Sequence, residues 1–236
     1  VAVGCAATAR KTQKIMTTQK HALVFANGEP NDGPMVRRIF AQAADPLIIV
    51  ADGGARVAAY FGFQVDRVIG DMDSLLPSEL EQLAHNGAQV ERHPRDKDAT
   101  DLELALTWAA KQDVAWVRIV GGVGGRLDMV MANIYLLALP ELADCDVALV
   151  ADDQEMRLLR AGEHTLTGSI GDTVSLIPIG GPVQGINTQH LKYALHDETL
   201  YFGPARGVSN RLSAERAQVS LRDGLLLCVH TIGEAE

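Results

Sequence analysis

Leu47-Ile48-Ile49-Val50-Ala51-Asp52-Gly53-Gly54-Ala55 is the stretch that decides the fold. Its apolar run shows no polar alternation, as a strand buried on both faces of a parallel sheet requires. Asp-Gly-Gly then ends the strand and leads into a helical pattern. Glycine at such a turn permits positive φ and lets a ligand approach the backbone. The helix N-terminus beyond it offers free N–H groups to an anion. Working outward, strands are predicted at 21–27, 47–52, 67–71, 89–93, 117–121 and 147–151. Helices are predicted between them at 34–44, 55–61, 77–86, 99–111 and 126–139. Strict alternation of this kind implies right-handed βαβ crossovers and an open, mostly parallel α/β sheet. Ligands of such sheets bind beyond the carboxyl ends of the strands, where the strand order reverses. Asn27, Asp52, Asp71, the 96–101 loop and the 121–125 loop all fall at such ends.

After Ala161 the helical periodicity stops. Short alternating runs at 173–179, 191–195, 199–202, 218–221 and 225–229 predict a small C-terminal β-sandwich or barrel. Arg222-Asp223-Gly224 lies between two of these runs and predicts a hairpin. The expected organisation is an N-terminal extension over 1–20 without fixed structure, an α/β domain over 21–155 and a β-sandwich over 156–236. The basic first residues precede Met16, a candidate start, and lack the order of a secretory signal.

Hydrophobic residues make up 47% of the 236-residue chain, enough for a large core. The formal charge of −9 argues against nucleic acid or an anionic membrane surface as partner. No apolar run reaches the ~18 residues of a spanning helix. Cys5, Cys145 and Cys228 are far apart and odd in number, which points to a reducing, cytoplasmic setting.

The chemistry lies in two acidic clusters, Gly70-Asp71-Met72-Asp73-Ser74 and Asp96-Lys97-Asp98-Ala99-Thr100-Asp101. Carboxylates this close repel one another unless a cation lies between them. Oxygen-only ligands suit Mg²⁺, which fills its shell with water and substrate phosphates. In an extended segment residues two apart face the same way, so Asp71 and Asp73 are expected to aim at one ion. Asp98 or Thr100 is the expected N-cap of the following helix. Gly121-Gly122-Val123-Gly124-Gly125-Arg126-Leu127-Asp128 suits a backbone cradle for phosphates, with Arg126 as a clamp and Asp128 orienting that arginine or a substrate group. No Gly-Lys-Ser/Thr follows, so this is not a Walker A loop. No Gly-x-Gly-x-x-Gly opens the first strand–helix turn, which disfavours a dinucleotide oxidoreductase.

In order, Ala51-Asp52-Gly53-Gly54-Ala55, the two acidic clusters, Gly124-Gly125-Arg126-Leu127-Asp128 with Ala132-Asn133, and Ser209-Asn210 resemble the thiamine pyrophosphokinase family. The resemblance implies transfer of a pyrophosphoryl group from ATP to the hydroxyl of thiamine, giving thiamine diphosphate and AMP. It implies Mg²⁺ held by Asp71, Asp73, Asp98 and Asp101, with Arg126 and Asp128 in the same catalytic cleft. Asp52, Gly53, Gly54, Ser74, Lys97, Thr100, Gly122, Gly124 and Gly125 are then expected at the nucleotide. It further implies a homodimer whose thiamine site lies between subunits, completed by Ser209 and Asn210. Asp71 or Asp98 is the candidate base for the hydroxyl proton. Three positions depart from the family pattern: Met72 stands where Phe is frequent, Met129 where His is usual, and Arg211 rather than an aromatic follows Ser209-Asn210. Met129 keeps open a related pyrophosphokinase acting on another alcohol, such as a hydroxymethyl pterin. A non-catalytic nucleotide- or thiamine-binding regulator is the other alternative.

Overall fold

The computed structural model describes residues 20–234. The expectation for the N-terminal extension therefore lies outside the described residues, apart from Lys20, which begins the first strand. The first half alternates as the apolar runs require. It comprises β1 (Lys20–Phe25), α1 (Pro34–Gln42), β2 (Leu47–Ala51), α2 (Gly54–Tyr60), β3 (Arg67–Gly70) and α3 (Pro77–His85), followed by β4 (Gln89–Arg92), α4 (Asp101–Ala110), β5 (Val114–Val120), α5 (Leu127–Leu136) and β6 (Val147–Ala151). The six strands run parallel in the order β4-β3-β2-β1-β5-β6. The order therefore reverses at β1, between β2 and β5. That is where a ligand crevice forms in an open α/β sheet.

The uninterrupted apolar run in β2 serves two cores at once. Ile49 and Ala51 join Ala22 and Val24 on the face covered by Leu102, Ala105 and Leu106 of α4. Ile48 and Val50 join Leu23 and Phe25 on the face covered by Met35 and Ile39 of α1 and Val57 of α2. Each such Val, Leu, Ile, Phe or Met side chain contributes about 1.5–3 kcal/mol by leaving water. A polar residue at either parity would face a dry core.

The second half is β-rich: β7 (Gln154–Leu159), β8 (Gly162–Thr167), β9 (Thr173–Gln189), β10 (Glu198–Leu200), β11 (Asn210–Arg211), β12 (Arg216–Leu221) and β13 (Asp223–Thr231). β7 turns back antiparallel to β6, and β13 and β9 follow it, so hydrogen bonding continues from the parallel strands into the second half. β7 spans the expected boundary at 155/156. The expected strand at 191–195 is absent, and Leu191 makes only an isolated bridge to Leu212.

The expected hairpin at Arg222-Asp223-Gly224 does not form. Both edges of β13 are already taken, by β7 and β9, while β12 pairs with β8 and the far end of β9. Arg222 instead donates its N–H to Gln184 O at 2.9 Å, and Gly224 takes φ +99° near the start of β13. Leu176, Val183, Ile186, Val219 and Leu226 pack together as the core of this half.

Candidate active site

The reversal point is a cleft of about 690 Å³. Its floor is made by two loops too close for side chains. Gly28 donates to Gly121 O at 2.8 Å, and a Cβ on Gly28 would lie 2.4 Å from that oxygen. Gly121 takes φ +73°, and a Cβ there would lie 2.5 Å from Ala26 O. Asn27, Glu29 and Gly121 line the cleft beside these contacts.

One wall is acidic. Asp52 leaves β2 in a left-handed conformation, φ +44°, with its N–H on Ile69 O at 3.0 Å. Its side chain is 4% exposed. Oδ2 accepts the Ser74 N–H at 3.0 Å. Oδ1 is buried and has no hydrogen-bond partner among the described residues. Gly70 takes φ +152°, and a Cβ there would meet Asp101 Cγ at 2.8 Å, so glycine admits the Asp101 carboxylate. Thr100 Oγ1 caps α4 by accepting the Glu103 N–H at 3.2 Å, which turns Asp101 toward the strand ends. Of the two expected caps, Thr100 is the one used. Carboxylate oxygens of Asp52, Asp71 and Asp101 lie within 4.8 Å of one another.

Lys97 sits inside this group. Its ammonium is 2.9 Å from Asp101 Oδ1 and 3.2 Å from Asp71 Oδ2. The Asp73 N–H, at 3.0 Å from Asp71 Oδ1, and then Lys97 hold the Asp71 carboxyl below its ordinary range. Burial pushes the Asp101 carboxyl up despite Lys97. Burial also works against the charged Lys97, but Asp101 and Asp71 outweigh it and raise the ammonium.

The structure does not bring together the four aspartates singled out as metal ligands. Asp71 and Asp101 meet, with Asp52 as the third carboxylate. Asp73 points elsewhere: Oδ2 is 3.3 Å from Arg95, and Oδ1 accepts from Ser74 Oγ at 3.3 Å. The segment is not extended, because Met72 takes φ +67° and buries its side chain, which breaks the two-residue alternation. Asp98 is exposed and outside the cleft lining. The signal for Asp52 was the polar residue ending a fully apolar strand.

The opposite wall is the glycine loop. Gly122, Gly124, Gly125 and Arg126 line the cleft, as do Met129 and Asn133 of α5. Asn133 is buried and donates to Gly122 O at 2.8 Å, while Asn31 donates to Val123 O at 2.9 Å. These bonds fix the loop from below and leave Gly125, φ +68°, with open space at its Cβ position. Arg126 Nε donates to Asp128 Oδ1 at 3.1 Å. The pair holds the Asp128 carboxyl below and the Arg126 guanidinium above their ordinary values. Asp128 thus holds the arginine from outside the lining.

Ser74, Lys97 and Thr100 line the cleft, as the sequence indicated. Gly53 and Gly54 stand behind it: a Cβ on Gly53 would come 2.5 Å from the Asn27 side chain. Ser209 and Asn210 are not in the lining. Asn210 is buried and structural: Oδ1 accepts from Tyr193 N at 2.9 Å and Arg211 N at 2.9 Å, and Nδ2 donates to Tyr193 O at 2.6 Å. Ser209 takes φ +57° and donates its N–H to Ser175 Oγ at 3.1 Å.

The family model for the thiamin pyrophosphokinase catalytic domain matches residues 40–149, and that for the thiamin pyrophosphokinase vitamin B1 binding domain matches residues 163–226. The thiamine pyrophosphokinase of Bacillus subtilis is 26% identical over 186 residues, covering 78% of this chain and 87% of the relative. A rice relative, thiamine pyrophosphokinase 2, is 28% identical over 233 residues, covering 88% of this chain and 85% of its own. The crystal structure of thiamin pyrophosphokinase from Geobacillus thermodenitrificans superposes with a TM-score of 0.78 at 27% identity, over 89% of this chain and 97% of that one. The B. subtilis structure gives 0.80 at 24% identity, over 90% and 99%, and speaks for the fold. The two family models together take in both halves of the molecule, and the chain belongs to the thiamin pyrophosphokinase family.

Proposed function

We propose that this chain is a thiamine pyrophosphokinase, an enzyme that moves the pyrophosphoryl group of ATP to the hydroxyl of thiamine. The observation that carries this reading is the meeting of Asp52, Asp71 and Asp101 across the cleft from a glycine loop. One wall suits a divalent cation and the other suits phosphate oxygens.

The donors fit Mg²⁺. They are oxygens only, and Asp52 Oδ1 is buried without a partner among the described residues. Asp52, Asp71 and Asp101 would hold the ion, with Asp73 and Asp98 outside this group. When bound, the ion supplies neutralisation of the charge on the transferring phosphates.

The chain's own groups do the positioning that dominates phosphoryl chemistry. Backbone N–H groups of the glycine loop and the Arg126 guanidinium bind phosphate oxygens, and Asp128 keeps the guanidinium aimed. The thiamine hydroxyl oxygen bonds to the β-phosphorus in line as the bond from that phosphorus to the α–β bridging oxygen breaks. AMP departs with that oxygen. Of the two candidate bases, Asp71 lines the cleft and Asp98 does not, so Asp71 receives the hydroxyl proton.

The active unit on this proposal is a homodimer. Leu127 at 81% exposed, Met131 and Tyr135 recur at a spacing of four on one face of α5, beside Arg126. The Ser209-Asn210 turn stands away from its own cleft, with Tyr193, Tyr201 and Phe202 also exposed in its half. A second copy would bring that turn to the cleft and cover both apolar surfaces. No described helix is long and apolar enough to cross a membrane. Cys145 and Cys228 are free thiols, in keeping with a cytoplasmic setting.

Incubation with ATP, Mg²⁺ and thiamine tests the assignment. The expected result is thiamine diphosphate and AMP in equal amounts. ADP as product would contradict it. Met129 lines the cleft where the family pattern has His, which favours one second reading, a different alcohol as acceptor. AMP formed with a hydroxymethyl pterin and not with thiamine would select that reading.

A further inference from the structure

We propose that Lys97 is a placeholder cation: its ammonium occupies the space between Asp71 and Asp101 that a divalent ion takes, and metal loading displaces it. This rests on the reading of Asp52, Asp71 and Asp101 as a metal centre. The ammonium contacts both carboxylates, at 2.9 Å and 3.2 Å, and its side chain is only 15% exposed. The two aspartate side chains are themselves 13% and 21% exposed, so little water screens the group. A magnesium ion binds carboxylate oxygen at about 2.0–2.1 Å. An ion bound to the same oxygens would stand within a few ångströms of the ammonium, two positive charges in one poorly hydrated space. Both cannot hold the same carboxylate oxygens.

Lys97 is suited to leaving. It belongs to the segment ahead of α4, not to the helix itself, and Thr100 rather than Lys97 fixes the helix start. Its four-carbon stem has freely rotating bonds, and its charge is a compact point that works equally well against several acceptors. It does not engage Asp52 Oδ1, which stays without a partner among the described residues. The ammonium thus bridges two carboxylates, offsetting one of the three negative charges, and leaves the buried Asp52 Oδ1 for an entering ion. Once displaced, Lys97 remains on the lining of the cleft, where it meets phosphate oxygens. The metal-free site is then partly compensated from within, and the loaded site gains a phosphate contact from the same side chain.

The test is Mn²⁺ binding to nucleotide-free protein, by isothermal titration and electron paramagnetic resonance, with thermal unfolding of the metal-free protein in parallel. Lys97→Met is expected to bind Mn²⁺ about tenfold more tightly than wild type, because no ammonium competes. The same variant is expected to melt at lower temperature without metal, because close carboxylates are left uncompensated. Lys97→Arg keeps the charge and is expected to bind no more tightly than wild type. Lys97→Gln, smaller and polar, replaces the Met variant if that one does not fold. Wild type binding Mn²⁺, Asp101→Asn losing it, and Lys97→Met binding no more tightly would overturn the placeholder role and leave the metal centre standing. Equal binding by wild type and Asp101→Asn would overturn the metal centre, and the placeholder with it.

Discussion

Asp52 and Asp172 are almost equally buried, at 4% and 3% exposed, yet their surroundings differ in kind. Asp172 stands in the β-rich half. Its Oδ1 accepts the Gly233 N–H at 2.8 Å, and its Oδ2 accepts the Ser169 N–H at 2.9 Å and meets His230 Nε2 at 2.8 Å. Burial alone would raise its carboxyl, but the two N–H groups and His230 outweigh burial and hold it below the ordinary range. Asp52 stands at the end of β2 with one oxygen on Ser74 N–H and the other without a partner among the described residues. A buried carboxylate whose valences are all met is part of the scaffold. One left with an open oxygen costs free energy in the empty protein, and that cost is offset only by a ligand. The contrast extends to the backbone. Asn210 and Asp172 spend their polar atoms tying loops together, whereas Gly28, Gly70 and Gly121 give up side chains to make room.

The largest effect is expected at the open cluster. Asp71→Asn and Asp101→Asn should lower turnover about 10²–10⁴-fold, the scale of a lost electrostatic or acid–base group, while melting temperature changes little. A steady-state assay beside thermal unfolding checks both halves of that statement. The closed site should answer in the opposite currency. Asp172→Ala leaves the buried His230 and two part-buried N–H groups without their acceptor and should cost about 3 kcal/mol of stability, measured by denaturant unfolding, with turnover retained at low temperature.

A smaller effect sharpens the comparison from the side of the acidic wall. Arg56 donates to Ser74 O at 2.8 Å and to both oxygens of Glu79, and Glu79 accepts the Leu76 N–H at 2.7 Å. Ser74 is the residue whose N–H holds Asp52. Arg56→Met should loosen that turn and lower kcat about three- to tenfold with the KM for thiamine unchanged, the signature of misplacement without lost substrate contact. A parallel rise in KM would place Arg56 on the substrate instead.

The smallest effect is a pH dependence. Arg56 and then the Leu76 N–H hold the Glu79 carboxyl down at about 2. An unfolded glutamate titrates near 4.3. A depressed folded value means that this support is fully present above about 4.3 and is lost as pH falls toward 2. The stability difference between wild type and Glu79→Gln should therefore be constant from neutral pH to about 5 and shrink below that. A difference growing on acidification would refute the pairing.

The parallel half was readable because its physics is local. Leu47-Ile48-Ile49-Val50 has one environment that suits it, and Asp-Gly-Gly has few structures after a buried strand. Asp101 was singled out within its cluster, but the sequence left the cap between Asp98 and Thr100, and the room that Gly70 leaves for the Asp101 carboxylate shows only in the structure. Asp73 was misplaced because Met72 adopts φ +67°, a conformation that residue type does not announce. Asp98 looked equivalent to Asp101 by composition and differs only in lying before the cap. The Asp223-Gly224 turn has hairpin chemistry, but its use is decided by β7 and β9 already holding both edges of β13. Competition among strands far apart in the chain leaves no mark on the turn itself. Strands β7 and β8 were missed because Gln154-Glu155-Met156-Arg157-Leu158-Leu159 and Gly162-Glu163-His164-Thr165-Leu166-Thr167 carry too few apolar residues to show alternation.

The most direct measurement sets Asp52→Asn against Asp172→Asn in one experiment: thiamine diphosphate formation from ATP and thiamine below both melting temperatures, with the melting temperatures recorded. Asp52→Asn is expected to melt like wild type or higher and to have lost most turnover, and Asp172→Asn to melt lower and still turn over. Full turnover by a folded Asp52→Asn would contradict it.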